Sequence, residues 1–260
     1  MVVELALEEA ARALSLDSPG VVDRLFARGG GAEGRGATAR VEVPGSTEKL
    51  VLRRLLHGGV LGPLLGPAFL GIRRPLGELR VTAQLRSAGA PVPRPALALG
   101  RRIAGPFWTL VVGTYLEPGA VDALAFLEAR PDPPRLLRAA RAAGSAVRRF
   151  HDEGGRHADL HVKNLLIRES GDTAECIIID LDKARITPGL TPDERMAQIM
   201  RLFRSLLKRG VLERVGSRGC SRFFTAYCGS DRLLRRALWK RVDREMRKVA
   251  IHRLRYPRGG

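Results

Sequence analysis

Three residues of one short segment and an acid one strand further on carry most of the chemistry legible in this chain. "GRHADLHVKNLLI" sets His157, Asp159 and Asn164 in a polar interruption closed by an apolar run, with a second histidine, His161, two positions after the acid. The next apolar run, "CIIIDLDKAR", ends on Asp180 and Asp182. A carboxylate beside an attacking hydroxyl, with an amide and a second carboxylate as hard oxygen donors for magnesium, is the set that phosphoryl transfer needs. Taken alone, Asp159 and Asn164 could equally be a turn held by Asx hydrogen bonds. The acid behind the following strand argues for chemistry instead.

The elements that must position these groups follow from local pattern. "LLIRESGDTAECIIIDLDKAR" reads as two apolar strands about a turn, a hairpin whose second strand returns Asp180 beside the loop of Asp159 and Asn164. Asp180 and Asp182, two apart in a strand, point to the same side; both could reach a metal, or Asp182 could pair with Lys183 or Arg185. Before the loop, "PPRLLRAARAAGSAVRRFHDEG" is helical. After it, "PDERMAQIMRLFRSLLKRG" places Met196, Ile199, Met200, Phe203, Leu206 and Leu207 on one continuous apolar face.

Residues 20 to 117 have another texture, with glycine clusters punctuating short β-type runs. "GGGAEGRGATARVEV" is a glycine-rich turn, with Gly34 and Gly36, able to bring backbone N–H groups to phosphates. "LVLRR" presents Arg53, and a helix over "RRPLGELRVTAQLRS" presents Glu78 as its ion-pair partner. Arginine can address carboxylate and phosphate bidentately; the alternative for this pair is a surface salt bridge. "LVVGTYLEPG" would be a hinge whose backbone, from Tyr115 to Glu117, meets an adenine edge. The layout predicts an α+β, two-lobed protein-kinase-like fold with a sheet-rich lobe over residues 1–117 and a mainly helical lobe over 118–260.

Composition bounds the partners. There are 45 Lys plus Arg against 27 Asp plus Glu, a formal charge of +18 that favours polyanionic partners. Three cysteines, Cys176, Cys220 and Cys228, have no metal-ligand spacing and read as reduced thiols. No export signal is read at the N-terminus, and the apolar 58 to 72 stretch is too short and too proline-broken to span a bilayer.

On "GRGA", "VLRRLLHGG", "GELRVTAQLRSAGAPVPRP", "HADLHVKNLLI" and "IIDLDKAR", the chain from about Gly34 to about Arg209 resembles the bacterial lipopolysaccharide-core kinases, those acting on 3-deoxy-D-manno-octulosonic acid (Kdo) in particular. The resemblance implies ATP and Mg2+ as cofactors and a hydroxyl of Kdo on lipid A, or another core sugar, as acceptor. It also implies work at the cytoplasmic face of the inner membrane. Position by position it makes Asp159 the catalytic base, His157 the brace of the catalytic loop, Asn164 and Asp180 the metal ligands, and Arg53 with Glu78 the phosphate-positioning pair. Only "ITPGLTP" separates "DLDKAR" from the next helix, which leaves no peptide-docking segment and favours a small or lipid-linked acceptor.

Two other functions fit parts of the pattern. Aminoglycoside- or choline-type phosphotransferases share the spacing, but their cationic acceptors fit a basic chain poorly. A nucleic-acid-binding pseudokinase would explain the charge and Arg53, yet three acid and amide positions are intact and aromatic content is only 5%. Nucleic acid is therefore not an expected partner. An anionic membrane surface is, through two features. One is the basic amphipathic C-terminal helix, with Leu234, Ala237, Leu238, Val242, Met246 and Val249 on one face and Arg235, Arg236, Lys240 and Arg244 off it. The other is the 58 to 72 insert.

Overall fold

The computed structural model describes residues 2–5, 16, 18, 20–28, 38–56 and 68–242. Gly34, Gly36, most of the apolar insert and the end of the basic helix, including Arg244, lie outside the described residues. Two compact units emerge. One comprises 1–87, 92–118 and 181–183; the other comprises 88–91, 119–180 and 184–260.

The first unit is a six-stranded antiparallel sheet. Strands β1 (Val2–Leu5), β2 (Thr38–Glu42), β3 (Lys49–Arg54), β5 (Pro95–Ala104) and β6 (Phe107–Tyr115) run in the order β1-β5-β6-β3-β2, and the short β4 (Phe69–Leu70) also pairs with β6. Alternation of side chains gives the sheet two apolar faces. Val41, Leu50, Leu52, Leu97, Leu99 and Val111 pack on one, beneath Val22, Leu25 and Phe26 of helix α1 (Val21–Arg28). Leu55, Phe69, Leu110 and Val112 fill the other with Ile72 and Trp108. Helix α2 (Arg73–Ser87) buries Glu78, Leu79, Thr82 and Leu85. Pro75 sits in its first turn, where a missing N–H costs nothing.

The second unit is mainly helical: α3 (Ala123–Glu128), α4 (Pro133–Asp152), α5 (Pro192–Lys208), α6 (Leu212–Cys228) and a further helical stretch, α7, over 232–242. The helix starts are written in the sequence. Asp122 accepts from the N–H groups of Leu124 and Ala125, Asp132 accepts from that of Arg135, and Thr191 forms a capping box with Glu194. Helices α4 and α6 pack so closely that a Cβ on Gly144 would lie 2.2 Å from the Phe223 carbonyl oxygen. Three helix-linked strands, β7 (Val121–Asp122), β9 (Leu165–Ser170) and β10 (Thr173–Ile178), form a small sheet in the order β10-β9-β7. The predicted hairpin is β9–β10, with Leu165 opposite Ile178. Two-residue strands β8 (Gly155–Arg156) and β11 (Arg185–Ile186) pair beside it. Gly154 enters that pair at φ 75°, with the Thr187 carbonyl oxygen 2.8 Å from where a Cβ would stand, so both conformation and space demand glycine.

Candidate active site

The candidate catalytic loop runs from β8 through a 3-10 turn at Val162–Asn164 into β9. His157 is 1% exposed, and its two ring nitrogens fix the loop from inside. The Asp159 N–H donates to Nδ1 at 3.0 Å, and Nε2 lies 3.0 Å from the Ile179 carbonyl oxygen. Since Nδ1 accepts, the proton sits on Nε2 and donates to Ile179, which sets one tautomer of a neutral ring. Burial lowers the pKa of His157, against the opposing pull of the Ile179 carbonyl and the Asp180 and Asp159 charges. The brace thus stays uncharged while the Asp159 carboxylate, with 72% of its side chain exposed, faces solvent.

Asn164 is buried, and its amide nitrogen donates to the Asp159 carbonyl oxygen at 3.0 Å. That commits the NH2 end and leaves the amide oxygen as the end that can serve a cation. The Ile179 N–H donates to the Asn164 carbonyl oxygen at 3.0 Å, so the hairpin delivers Asp180 one residue beyond Asn164's own strand partner. Asp180 has φ 61°, a left-handed conformation that asparagine and aspartate tolerate better than other side chains. Among the described residues no three His, Cys, Asp or Glu side chains gather into a metal cage. The donor set here is one amide oxygen and one carboxylate, which suits Mg2+, an ion that completes its octahedron with phosphate oxygens and water.

Helix α5 holds the same loop from behind. The Gln198 side-chain oxygen accepts from the His157 N–H at 2.7 Å, Arg201 donates to the Ala158 carbonyl oxygen at 2.8 Å, and the Ser205 hydroxyl accepts from the Val162 N–H at 3.0 Å. Positions 198, 201 and 205 share one helix face. These residues escape an apolar-periodicity reading because they lie on the helix face opposite the apolar one, where that reading expects solvent. Deeper still, the fully buried His151 meets the Tyr227 hydroxyl at 2.7 Å. Burial lowers the His151 pKa to about 3 and raises that of Tyr227 to about 12. His161 Nε2 lies 3.8 Å from an Asp159 carboxylate oxygen.

In the first unit Arg53 on β3 and Glu78 on α2 form the expected pair, Arg53 Nη2 lying 2.6 and 2.7 Å from the two carboxylate oxygens. Glu78 is 7% exposed, so its charge is compensated inside the unit and the pair is no surface salt bridge. Asp182 departs from expectation: neither Lys183 nor Arg185 binds it. Arg74, one turn before Glu78 on α2, grips both its carboxylate oxygens, through Nε at 2.8 Å and through Nη2. Burial alone would raise the Asp182 pKa, but the Arg74 hydrogen bond and charge, backed by Arg53 and Lys183, hold it below the usual carboxylate range. Residues 74 and 182 are 108 positions apart, a distance at which no local pattern speaks.

The hinge stretch is strand-bound. The N–H groups of Tyr115 and Leu116 donate to the carbonyls of Arg94 and Lys49, at 2.9 and 2.8 Å, and the buried Tyr115 ring lies 3.3 Å beneath the Arg94 guanidinium carbon. Of the predicted hinge groups, these two donors are spent within the sheet.

Known proteins resemble this chain in sequence and in fold. The family described as "Lipopolysaccharide kinase (Kdo/WaaP) family" matches residues 30–227. A 3-deoxy-D-manno-octulosonic acid kinase of Vibrio cholerae is 30% identical over 190 residues, covering 70% of this chain and 76% of that protein. One from Vibrio parahaemolyticus is 29% identical over 188 residues, 70% and 75% of the two chains, and one from Xylella fastidiosa is 32% identical over 179 residues, 67% and 68%. Among solved structures, "WaaP in complex with acyl carrier protein" superposes with a TM-score of 0.63 at 22% identity, covering 95% of this chain and 98% of that one. That likeness shows the kinase-like fold.

Proposed function

The chain belongs to the lipopolysaccharide kinase (Kdo/WaaP) family, and on that premise we propose that it transfers the γ-phosphoryl group of ATP to a hydroxyl of Kdo on the lipid A anchor, at the cytoplasmic face of the inner membrane. The observation that carries the reading is the loop geometry: an exposed Asp159 carboxylate set by a buried neutral His157, with Asn164 oriented by Asp159's own carbonyl. Asp159 accepts or orients the acceptor hydroxyl's proton as the oxygen attacks the γ-phosphorus. The bond to the β-bridging oxygen breaks, ADP leaves, and the proton passes through Asp159 to solvent.

Asn164 and Asp180 are the residues that would hold Mg2+, whose charge neutralises the phosphates. Arg53, braced by Glu78, addresses the phosphates from the sheet, and the glycine-rich turn of Gly34 and Gly36 supplies backbone N–H groups. Glu117, past the two committed donors, supports the adenine edge. The family match removes the ground for the aminoglycoside-type and pseudokinase readings.

The direct test is incubation of the purified chain with Mg2+, labelled ATP and Kdo-lipid A, with mass spectrometry of the product. A phosphate on the sugar is expected; phosphate transfer only to a cationic small molecule, or none to any acceptor, overturns the assignment.

We further propose an acyl carrier protein as a partner, as in the solved WaaP complex. A cavity of about 560 Å3 in the helical unit, walled by residues such as Phe126, Leu136, Ile199, Met200, Phe203 and Phe223, has the apolar character that an acyl chain requires. Native mass spectrometry with acylated and unacylated carrier protein checks this: retention of the acylated form alone is expected, and equal retention of both refutes the cavity's part.

A further inference from the structure

The sheet-rich unit exposes apolar side chains at one end, in a cluster set by strand register. Leu70 on β4 lies opposite Phe107 on β6, and Phe107 lies opposite Ala104 on β5. Residues directly opposite in antiparallel strands share a face, so Leu70, Phe107 and Ala104 stand side by side on it. Ile103 joins them at the irregularity between Arg102 and Ala104. Leu70 is 75% exposed, Ile103 53% and Phe107 45%, and every residue from Arg101 to Phe107 is exposed. Among the described residues no core covers these side chains, although Val111, four residues along β6 on the same face, is only 4% exposed.

The segments that carry the cluster bear charges of one sign. The segments 68–76 and 97–110 contain Arg73, Arg74, Arg101 and Arg102 and no aspartate or glutamate. Arg73 is exposed, and Arg102 lies with its guanidinium carbon 5.3 Å from the centre of the Trp108 ring, a cation over an indole. Arg101 meets Asp23 of α1 at 3.0 Å and Arg74 meets Asp182, so the cationic rim rests on Arg73 and Arg102. A few apolar side chains at the tip of a stiff hairpin, ringed by arginine and beside a tryptophan, fit a bilayer interface with anionic headgroups. The apolar tips enter the acyl boundary and the guanidiniums meet phosphate.

We propose that the β4 and β5–β6 tip, with Leu70, Ile103 and Phe107 as its apolar teeth and Arg73 and Arg102 as its cationic rim, is a wedge that seats the enzyme on an anionic lipid surface. The register places it about five residues of β6 from Val112, the strand partner of Arg53, or roughly 17 Å along the sheet. A phosphate-positioning group is thus carried on β3, the strand paired with the one that bears Phe107. The proposal rests on the reading that the acceptor is lipid-anchored, and it concerns residues outside the catalytic machinery.

The test is co-sedimentation of the full chain with vesicles of phosphatidylglycerol and phosphatidylethanolamine, compared with neutral vesicles, for the wild type and for Leu70→Ser, Ile103→Ser and Phe107→Ser. Binding is expected to need the anionic lipid and to weaken as salt rises. Each substitution should weaken partitioning about tenfold, since each removes roughly one buried apolar side chain's worth of transfer energy. In a Trp239→Phe background, brominated lipid should quench Trp108. Partitioning unchanged in all three variants, an unquenched Trp108 with binding intact, or equal binding to neutral vesicles each overturns the wedge. Because the three side chains are exposed, unchanged thermal unfolding is expected. Assays on Kdo-lipid A and on its water-soluble deacylated counterpart separate this proposal from the assigned activity. Wedge variants should lose rate on the lipid and keep it on the soluble acceptor. A wild type that binds vesicles but phosphorylates neither acceptor would spare the wedge and sink the kinase assignment.

Discussion

The catalytic loop and helix α2 position reactive groups by opposite means. In the loop the contacts are neutral hydrogen bonds in a nearly dry interior, with Arg201 to the Ala158 carbonyl as the charged exception: His157 to two backbone groups, Gln198 and Ser205 to two N–H groups, Asn164 to a carbonyl. On α2 they are ion pairs, Arg53 with Glu78 and Arg74 with Asp182, each arginine about a quarter exposed. Neutral bonds hold one geometry and are indifferent to salt. Ion pairs hold a charge in place, on the proposed reading where a nucleotide's own charge is met, and they fail when one partner is removed, because the other is left partly buried and alone. Loop variants should therefore change turnover, and α2 variants should change the nucleotide and metal requirement.

The sharpest break of that contrast is at the loop's exposed acid. Asp159→Asn should lower turnover by about two to four orders of magnitude while nucleotide affinity stays within a few-fold. Asp180→Asn, in the neighbouring strand end, should remove the Mg2+ dependence of nucleotide binding, read by calorimetry with and without the metal. Wild-type turnover in Asp159→Asn would leave the loop without its proposed chemistry.

Arg53 comes next. Arg53→Ala should raise the ATP concentration for half-maximal rate and slow transfer, together by roughly ten- to a hundredfold, the worth of a hydrogen-bonded charge pair. Arg53→Lys should recover part of this, since charge survives and the fork is lost. Identical kinetics for alanine and lysine would show that charge is not what the position supplies.

How legible each region was follows from sequence distance. His157, Asp159 and Asn164 lie within eight residues and Asp180 follows one hairpin later, so residue type and a period-two pattern place them. Arg53 and Glu78 are 25 apart but sit on elements whose type the sequence declares. Arg74 with Asp182 and His151 with Tyr227 are contacts between distant segments, set by how helices pack rather than by any spacing. Gln198, Arg201 and Ser205 sit between the two cases. They line the polar face of α5, which a periodicity reading gives to water; that Gln198 is buried and bonded to backbone there depends on how the loop folds over the helix, not on spacing.

The Arg74–Asp182 pair offers a finer test of the ionic side. If Asp182 serves α2 and not the metal, Asp182→Asn and Arg74→Ala should cost similar amounts, and the double variant little more. The expected coupling is on the order of 1 kcal/mol by a double-mutant cycle on thermal unfolding. Effects that add fully would return Asp182 to the metal.

The smallest effect tests the neutral side through pH. His151 and His157 both have folded pKa values below the ordinary 6.5 of histidine, through burial first, His151 reaching about 3. Above pH 6.5 both residues are neutral, folded or unfolded, and their contribution to stability is fully present. As pH falls through 6.5 the unfolded chain takes up protons that the folded chain refuses. Unfolding is then favoured by up to about 1.4 kcal/mol per pH unit for each histidine, and the loss continues toward the folded values. Denaturation midpoints measured from pH 7.5 to 5 should therefore fall with acid, in a window above most carboxylate titration. His151→Gln should be less stable at neutral pH, having lost a bond to Tyr227, yet show a shallower slope below 6.5. Equal slopes in variant and wild type would mean that His151 is charged in the fold, and that the interior behind the catalytic loop is less dry than its hydrogen bonds require.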